Sequence, residues 1–583
     1  SLNALRDNFP EVLGLFADVL RQPAFDAEQI EVSKTQIRGA IARQNDNPSG
    51  IAGREFAELV YGDDSPYVRQ ATYETVEAIG RDDLVAWHQR FFHPNNIMLG
   101  IVGDIDVATA RELVEAELGD WARGEVAAVD IPPVEDVLTP GQYFIERNDM
   151  TQAEIRIGHL GVRRDHPDFL ALQVLNQLFS GGFGSRVVDE IRTNRGLAYA
   201  VGGGVGDRWD HRGLTNLVMT TKVESTGEGI DGLIGEVRAL RGDRPPTDEE
   251  IEQAKRVILN SWVFTNDSRG EILRQKMSFA YYDYPADWLE WYRAGLEAVT
   301  TEQVRAAAVT HYQPDQFVVL VVGPAEGRAQ LEARGPVTDV DISIPEPPGE
   351  ELMAATDEGT ARAAELLAQA AEAHGGAVAI EAVQSMARTS KATLNTPQGP
   401  MELAVKGVMA LPDKMSQTMT LPFGTMQQLY DGGKAFVVSP QGAQQLPPAQ
   451  AAELQLGIDR DLIVVLQQRN DDGVTMVAGE PVERAGIQVI PVQIQRAGDT
   501  VTIEIDPQTG QVKSLAYDGR HPITQAPARL TEVYDDYRES GGVVLPFASR
   551  LEADGETVIE TVVEQIEINP EIDDSAFAPP SDS

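Results

Sequence analysis

Two stretches of this chain, 220 residues apart, follow one pattern. TVEAIGRDDLVAWHQRFFHPNNIMLGIVG, ending at Gly103, aligns with GLEAVTTEQVRAAAVTHYQPDQFVVLVVG, ending at Gly323. Ile79 lies over Val299, Phe92 over Tyr312 and Pro94 over Pro314. Upstream, DAEQIEVSKTQIRGAI aligns with TDEEIEQAKRVILNSW at an offset of 221, with Ile30 over Ile251 and Lys34 over Lys255. An offset kept nearly constant through a helix, a loop, a second helix and a strand marks a duplicated unit, because unrelated helix–strand pairs have no reason to keep their spacing. A duplicated unit of this kind restricts the chain to an α+β class, each copy a sheet with helices on one face. The second copy opens near Tyr143 with QYFIERN and EIRIGHL. Counting back by the same offset puts the start of the first copy about eighty residues before Ser1, so the first copy is expected to be truncated at its N-terminus.

The chain divides accordingly. Residues 1–123 read as the truncated first domain, 124–142 as an acidic, proline-bearing linker, and 143–334 as the second domain. Residues 335–354 read as another linker and 355–583 as a third domain. In the first domain, helices are expected over 5–22 and 26–44, in IAGREFAELVYG and in RDDLVAWHQRFF. IMLGIVG reads as an apolar strand, and DVATARELVEAEL as a helix capped by Asp106. The third domain begins with the alanine-rich helix TARAAELLAQAAEAHGG, which the Gly375-Gly376 pair would terminate. Alternating segments such as VTIEIDP, QVKSLAYD and TVIETVVEQIEI follow, separated by turn signals at DPQTG, SGG and ADG. That pattern predicts an antiparallel sheet curved into a half barrel.

Charge and composition exclude several functions. The formal net charge of -43 disfavours DNA, RNA and anionic lipid, all polyanions. The absence of cysteine rules out disulfides, thiolate metal sites and cysteine nucleophiles, and suits an envelope protein as well as a cytosolic one. No apolar run approaches the length of a membrane span, so no transmembrane segment is expected. Ser1 opens without a methionine or a targeting core.

Chemistry concentrates in Ser180–Tyr199, SGGFGSRVVDEIRTNRGLAY. A glycine turn at Gly181, Gly182 and Gly184 follows a helical run, a second short helix carries Arg192, and Tyr199 enters a glycine-rich strand. Arg192 supplies a planar fork of donors for a carboxylate or a peptide carbonyl, and Tyr199 adds a phenolic donor. The pair suits an extended peptide; equally, Arg192 can be an exposed helix residue and Tyr199 a strand aromatic. The run Gly202, Gly203 and Gly204 either admits a peptide as an added strand or marks a bulge. No Gly-Lys-Ser/Thr follows it, so it is not a nucleotide loop.

The helix, glycine turn and RxxRGLAY resemble the C-terminal half of an insulinase/pitrilysin-type metallopeptidase, the inverted zincins. The resemblance implies that Arg192 and Tyr199, with Gly182 and Gly203, hold a substrate backbone. It also implies zinc, bound by a His-x-x-Glu-His helix and by a glutamate on a later helix. None of the eight histidines, His88, His93, His159, His166, His211, His311, His374 and His521, forms that motif. The glutamate position falls on Ala40 in TQIRGAIARQNDNP, and the acidic position before it on Ser33; Glu31 and Glu55 are the nearby acids. The family includes two-chain enzymes in which one chain carries zinc and its partner the Arg and Tyr. In the resemblance the His-x-x-Glu-His helix lies in the part that precedes Ser1, so the expectation is a peptide-binding chain with no catalytic residue within residues 1–583 and an incomplete zinc site at Ala40, working with a zinc-bearing insulinase-like partner. Residues 355–583 resemble the outer-membrane lipoprotein carrier fold in TPQGPMELAVKG, LYDGGKAFVVSPQG, YDDYRESGGVVLPF and INPEIDDSAFAPP, which implies a periplasmic or cell-envelope location. The alternatives are a catalytically inactive peptide- or protein-binding chain and a lipid carrier.

Overall fold

The computed structural model describes residues 1–583 except 135–138, 262–267, 286, 348, 397–398, 422–423, 497 and 580–583, so four residues of the 124–142 linker lie outside the described residues. The chain divides into two compact units, Ser1–Pro345 and Glu346–Ser583.

The first unit begins with six helices: α1 (Phe9–Arg21), α2 (Ala27–Ala42), α3 (Pro48–Tyr61), α4 (Tyr73–Ala78), α5 (Arg81–Phe91) and α6 (Val107–Leu118). Strands β1 (Gly141–Glu146), β2 (Gln152–Leu160) and β3 (Val162–Arg163) lead to α7 (Phe169–Ser180). Strands β4 (Ala198–Val205), β5 (Asp207–Arg208) and β6 (Leu214–Lys222) precede α8 (Thr226–Arg241), α9 (Asp248–Ser261), α10 (Arg269–Tyr281), α11 (Trp288–Ala298) and α12 (Thr301–His311). Strand β7 (Val318–Gly323), α13 (Ala325–Glu332) and β8 (Val337–Asp339) complete the unit. Six strands form one sheet in the order β4-β6-β2-β7-β1-β8, so β4 and β8 are its edges. β1 runs parallel to β7 and β8, and the other neighbours are antiparallel.

The apolar run of β7 has no polar face because both faces of the sheet are covered. Its alternating side chains sort into two cores, as a period of two requires. Val319 and Val321 join α7, α8 and α12 through Leu172, Leu233 and Val304. Val318, Leu320 and Val322 join Ile51, Phe56 and Val60 of α3. The expectation of helices on one face is therefore corrected: the second face is covered by a helix of the first copy. Full burial of each large side chain of α3 is worth roughly 1.5–3 kcal/mol, so the two copies share one core. The exchange runs both ways. α10, the counterpart of α3, lies against the first copy, where a Cβ on Gly100 would stand 2.4 Å from Met277 and 3.1 Å from Leu273.

Two expectations fail. Ile97–Gly103 forms no strand, and Leu99 and Val102 are exposed. Its counterpart β7 is held between β1 and β2, whereas no strand among the described residues pairs with Ile97–Gly103, so it lacks the ladder a strand requires. The 335–354 segment is not a free linker either. β8 lies within it and pairs with β1, whereas its later residues fasten to the second unit. There, the Glu350 carboxylate accepts from Thr502 and from the Arg529 guanidinium at 2.7 Å, and Met353 N–H donates to the Gln493 side chain at 2.8 Å.

The second unit is a large antiparallel sheet of 14 strands. The first strand, Ser385–Thr396, pairs with the last, Glu556–Ile568, so two consecutive hairpin runs join into one sheet. Helices Asp357–Ala373 and Leu462–Gln467 bury Leu367, Ala370, Ile463 and Leu466 against Val492, Ile494, Ile503 and Leu515. Gly375 and Gly376 take φ of 115° and 90°, which ends the long helix as a glycine pair can. A gap beside Met386, Met409 and Ile463 has no room for a water molecule.

Candidate functional site

α7 reads FLALQVLNQLFS and is buried on nearly every side, which fixes its C-terminus against β4. The chain then turns sharply. Gly182 and Gly184 have φ of 120° and 86°, with open space where a Cβ would stand. The requirement there is backbone conformation and not a neighbour's approach. The expected short helix is a π-helical segment, Val188–Asn194, in which Ile191 is buried and Arg192 is exposed. π-Helical turns are enriched at functional sites.

Three arginines follow the turn, and their partners separate them. Arg186 grips Glu250 at 2.6 and 2.7 Å and also donates to the Arg244 and Pro245 carbonyls. Burial raises the Glu250 carboxyl, but the Arg186 guanidinium and the Thr247 N–H and hydroxyl outweigh it, bringing the pKa down to about 2. Arg195 pairs with Glu228 at 2.8 Å. Arg192 has no ion pair among the described residues; its guanidinium lies 5.2 Å from the ring of Phe183, which is 89 % exposed. A cation over an aromatic face gains about 0.5–1 kcal/mol at such an exposed site, enough to bias the side chain while its donors stay free. A cleft of about 520 Å³ nearby is lined by Arg186, Glu236, Arg244 and Glu250, but neither Arg192 nor Tyr199 lines it.

β4 is an edge strand. Ala198 faces Thr221 and Ala200 faces Thr220, so Tyr199 is the extra residue of a bulge. The bulge presents its side chain to solvent at 75 % exposure. Farther along, α7 occupies the outer edge. The Asn176 amide donates to the Val205 carbonyl at 2.9 Å and accepts from Val205 N–H at 3.0 Å, and the Ser180 hydroxyl donates to the Gly203 carbonyl. A Cβ on Gly203, whose φ is 113°, would stand 2.0 Å from the Asn216 carbonyl oxygen in β6. This corrects the role expected for Gly203: packing within the sheet requires the glycine, and its carbonyl is already bonded. The part of the edge clear of α7 runs from Tyr199 to Val201.

The positions where the resemblance puts zinc do not fit the ion. Ala40 is exposed on α2 and has no donor atom, and Ser33 donates its hydroxyl to the Gln29 carbonyl at 2.8 Å. Glu55 is tied to Arg54 at 2.7 Å and Glu31 lies 3.5 Å from Lys34. His88 is engaged with the Leu20 carbonyl at 2.8 Å and stacks on Phe92. Sequence spacing gave no sign of a different cluster, His166, Asp168 and His311, because 143 residues separate the last two. Phe183 went unmarked as well, since an aromatic in a glycine turn has no periodicity to place it.

The family description "Peptidase M16 inactive domain" matches residues 78–258, a span that includes Arg192 and Tyr199. Over residues 78–258 the chain is therefore similar to an insulinase-like peptidase domain. An uncharacterized zinc protease of Rickettsia bellii is 26% identical over 260 residues, covering 44% of this chain and 60% of the relative. A second uncharacterized zinc protease, from Mycobacterium leprae, is 25% identical over 324 residues, covering 54% of this chain and 71% of the relative. The crystal structure of a peptidase M16 inactive domain from Pseudomonas fluorescens aligns with a TM-score of 0.48 at 27% identity, over 55% of this chain and 76% of that one. Insulinase-like relatives are thus named for zinc, whereas the expected ligand position in this chain is Ala40.

Proposed function

We propose that this chain is the substrate-binding, non-zinc component of an insulinase-like zinc metallopeptidase, acting on extended peptides beside a zinc-bearing partner chain. The observation that carries the reading is the contrast among the arginines: Arg186 and Arg195 are consumed by carboxylates, while Arg192 is not, and the next element is an edge strand with Tyr199 bulged into solvent. An extended peptide adding to β4 would bond the main chain near Val201, with Arg192 donating to a peptide carbonyl or carboxylate and the Tyr199 phenol donating beside it. Gly182 contributes by letting the chain turn so that Arg192 and β4 are reached in succession.

The test mixes the purified chain with a candidate zinc-bearing insulinase-like chain and follows cleavage of an extended peptide with and without chelator. Cleavage that needs both chains and is lost on chelation is expected, with Arg192→Ala and Tyr199→Phe raising KM. Peptide binding without cleavage points to an inactive peptide-binding chain, and unchanged kinetics in both variants would reject the clamp. The carrier resemblance of residues 355–583 supports a periplasmic or cell-envelope setting and a lipid-carrier reading; lipid recovered from the purified chain by solvent extraction would favour it.

A further inference from the structure

We propose that His166, Asp168 and His311 form a binding site for a divalent metal ion of the zinc class, away from the helix that carries Ala40. One ligand atom from each of the three residues lies within 4.8 Å of the others. His311 Nε2 is 2.8 Å from Asp168 Oδ2, and His166 Nδ1 is 4.0 Å from the same oxygen. The two imidazole rings stand 4.9 Å apart at 89°, so their in-plane lone pairs can converge without the rings stacking. Two imidazoles and one carboxylate are a donor set that suits zinc and leaves a fourth position for water. Metal–ligand bonds of about 2.0–2.2 Å in a tetrahedron need donor atoms about 3.3 Å apart. The shorter separation must therefore open slightly and the longer one close by about 0.7 Å, a movement within reach of the half-exposed His166 side chain.

The fold places these residues on fixed ground. His311 ends α12, where the helix dipole favours a cation. Asp168 stands at the N-terminal boundary of α7, and α12 packs against α7 through Val304 and Ala308 in the same core as Leu172 and Leu175. His166 is held in the turn after β3 by its N–H on the Arg163 carbonyl at 3.1 Å. Its Nδ1 accepts Asp168 N–H at 3.1 Å, a long bond that is given up if this nitrogen takes the metal and kept if Nε2 does. His159, close to His311, is not a ligand: its Nδ1 bonds the Leu160 carbonyl at 2.7 Å and its Nε2 accepts Gln313 N–H at 3.1 Å. Asp168 and His166 keep 42% and 38% of their side-chain surface exposed, so an ion can enter. A bound ion would join the C-terminus of α12 to the N-terminus of α7, adding stability that grows with the logarithm of the free ion concentration above its Kd.

The test uses the full chain, free of any histidine tag and stripped with chelator, titrated with Co²⁺ and then Zn²⁺. Expected are a visible d–d absorption band that saturates at one equivalent of Co²⁺, its displacement by Zn²⁺, and a higher melting temperature in Zn²⁺. His166→Ala and Asp168→Asn should each weaken Co²⁺ binding about tenfold or more, while His93→Ala leaves it unchanged. His311 is only 10% exposed; if His311→Ala does not fold, the two more exposed variants decide. A band that never saturates, as scattered carboxylates would give, or one untouched by His166→Ala and Asp168→Asn, overturns the proposal.

Discussion

Ile97–Gly103 and Val318–Gly323 are counterparts in a duplicated sequence, yet one is an irregular segment with exposed Leu99 and Val102 and the other is a strand buried along its whole length. The apolar pattern is the same; the neighbours differ. β7 has β1 and β2 on either side and helices on both faces, and Ile97–Gly103 pairs with no strand among the described residues. A strand is a property of a ladder, because its N–H and C=O groups need partners outside the segment. α3 and α10 repeat the lesson in helices. α3 buries Phe56 fully against β7, while its counterpart α10 leaves Met277 half-buried.

The largest expected effect sharpens the strand comparison. Val322→Asp, at a fully buried site, should cost about 4 kcal/mol or more and abolish folding of the first unit. Val102→Asp, the same change at its exposed counterpart, should stay within about 0.5 kcal/mol. Urea denaturation followed by circular dichroism separates them, and equal costs would refute the account. Next, Phe56→Ala should cost about 3–5 kcal/mol and Met277→Ala under about 2 kcal/mol, measured in the same way. Among the arginines, Arg186→Ala should cost about 1–3 kcal/mol by stranding Glu250, whereas Arg192→Ala should leave stability within about 0.5 kcal/mol and weaken peptide binding in a fluorescence titration. The reverse order would move the clamp to Arg186.

The smallest effect is on pH dependence. Burial holds His159 in the first unit and His374 in the second below the ordinary imidazole range, and each ring has both nitrogens bonded as a neutral imidazole. A depressed folded pKa means that the unfolded chain binds the extra proton first. Their contribution is therefore full above about pH 6.5 and falls as the pH drops through the folded value. Glu250 follows the same sign lower down, full above about pH 4.5 and lost toward its pKa of about 2. His159→Gln and His374→Gln should each flatten the loss of urea midpoint between pH 7.5 and 5, assayed unit by unit.

Much of the second copy was legible from residue order. The run HPDFLALQVLNQLF became α7, QYFIERN and EIRIGHL became β1 and β2, and the glycine turn delivered Arg192 and Tyr199 to exposed positions. Gly203 was not legible, because its need for glycine lies in the Asn216 carbonyl of another strand. Nor was the tie between Asp168 and His311, whose partners are brought together only by the packing of α12 on α7.

The sequence by itself determined the helix periods and the turn chemistry, since each depends on residues near one another along the chain, and the duplication, since a repeat is read from residue order at a constant offset. Tertiary structure alone decided which apolar segment becomes a strand, which arginine keeps its donors free, and which edge of the sheet stays open. Those outcomes depend on hydrogen-bond and charge partners that the fold brings in from distant parts of the chain.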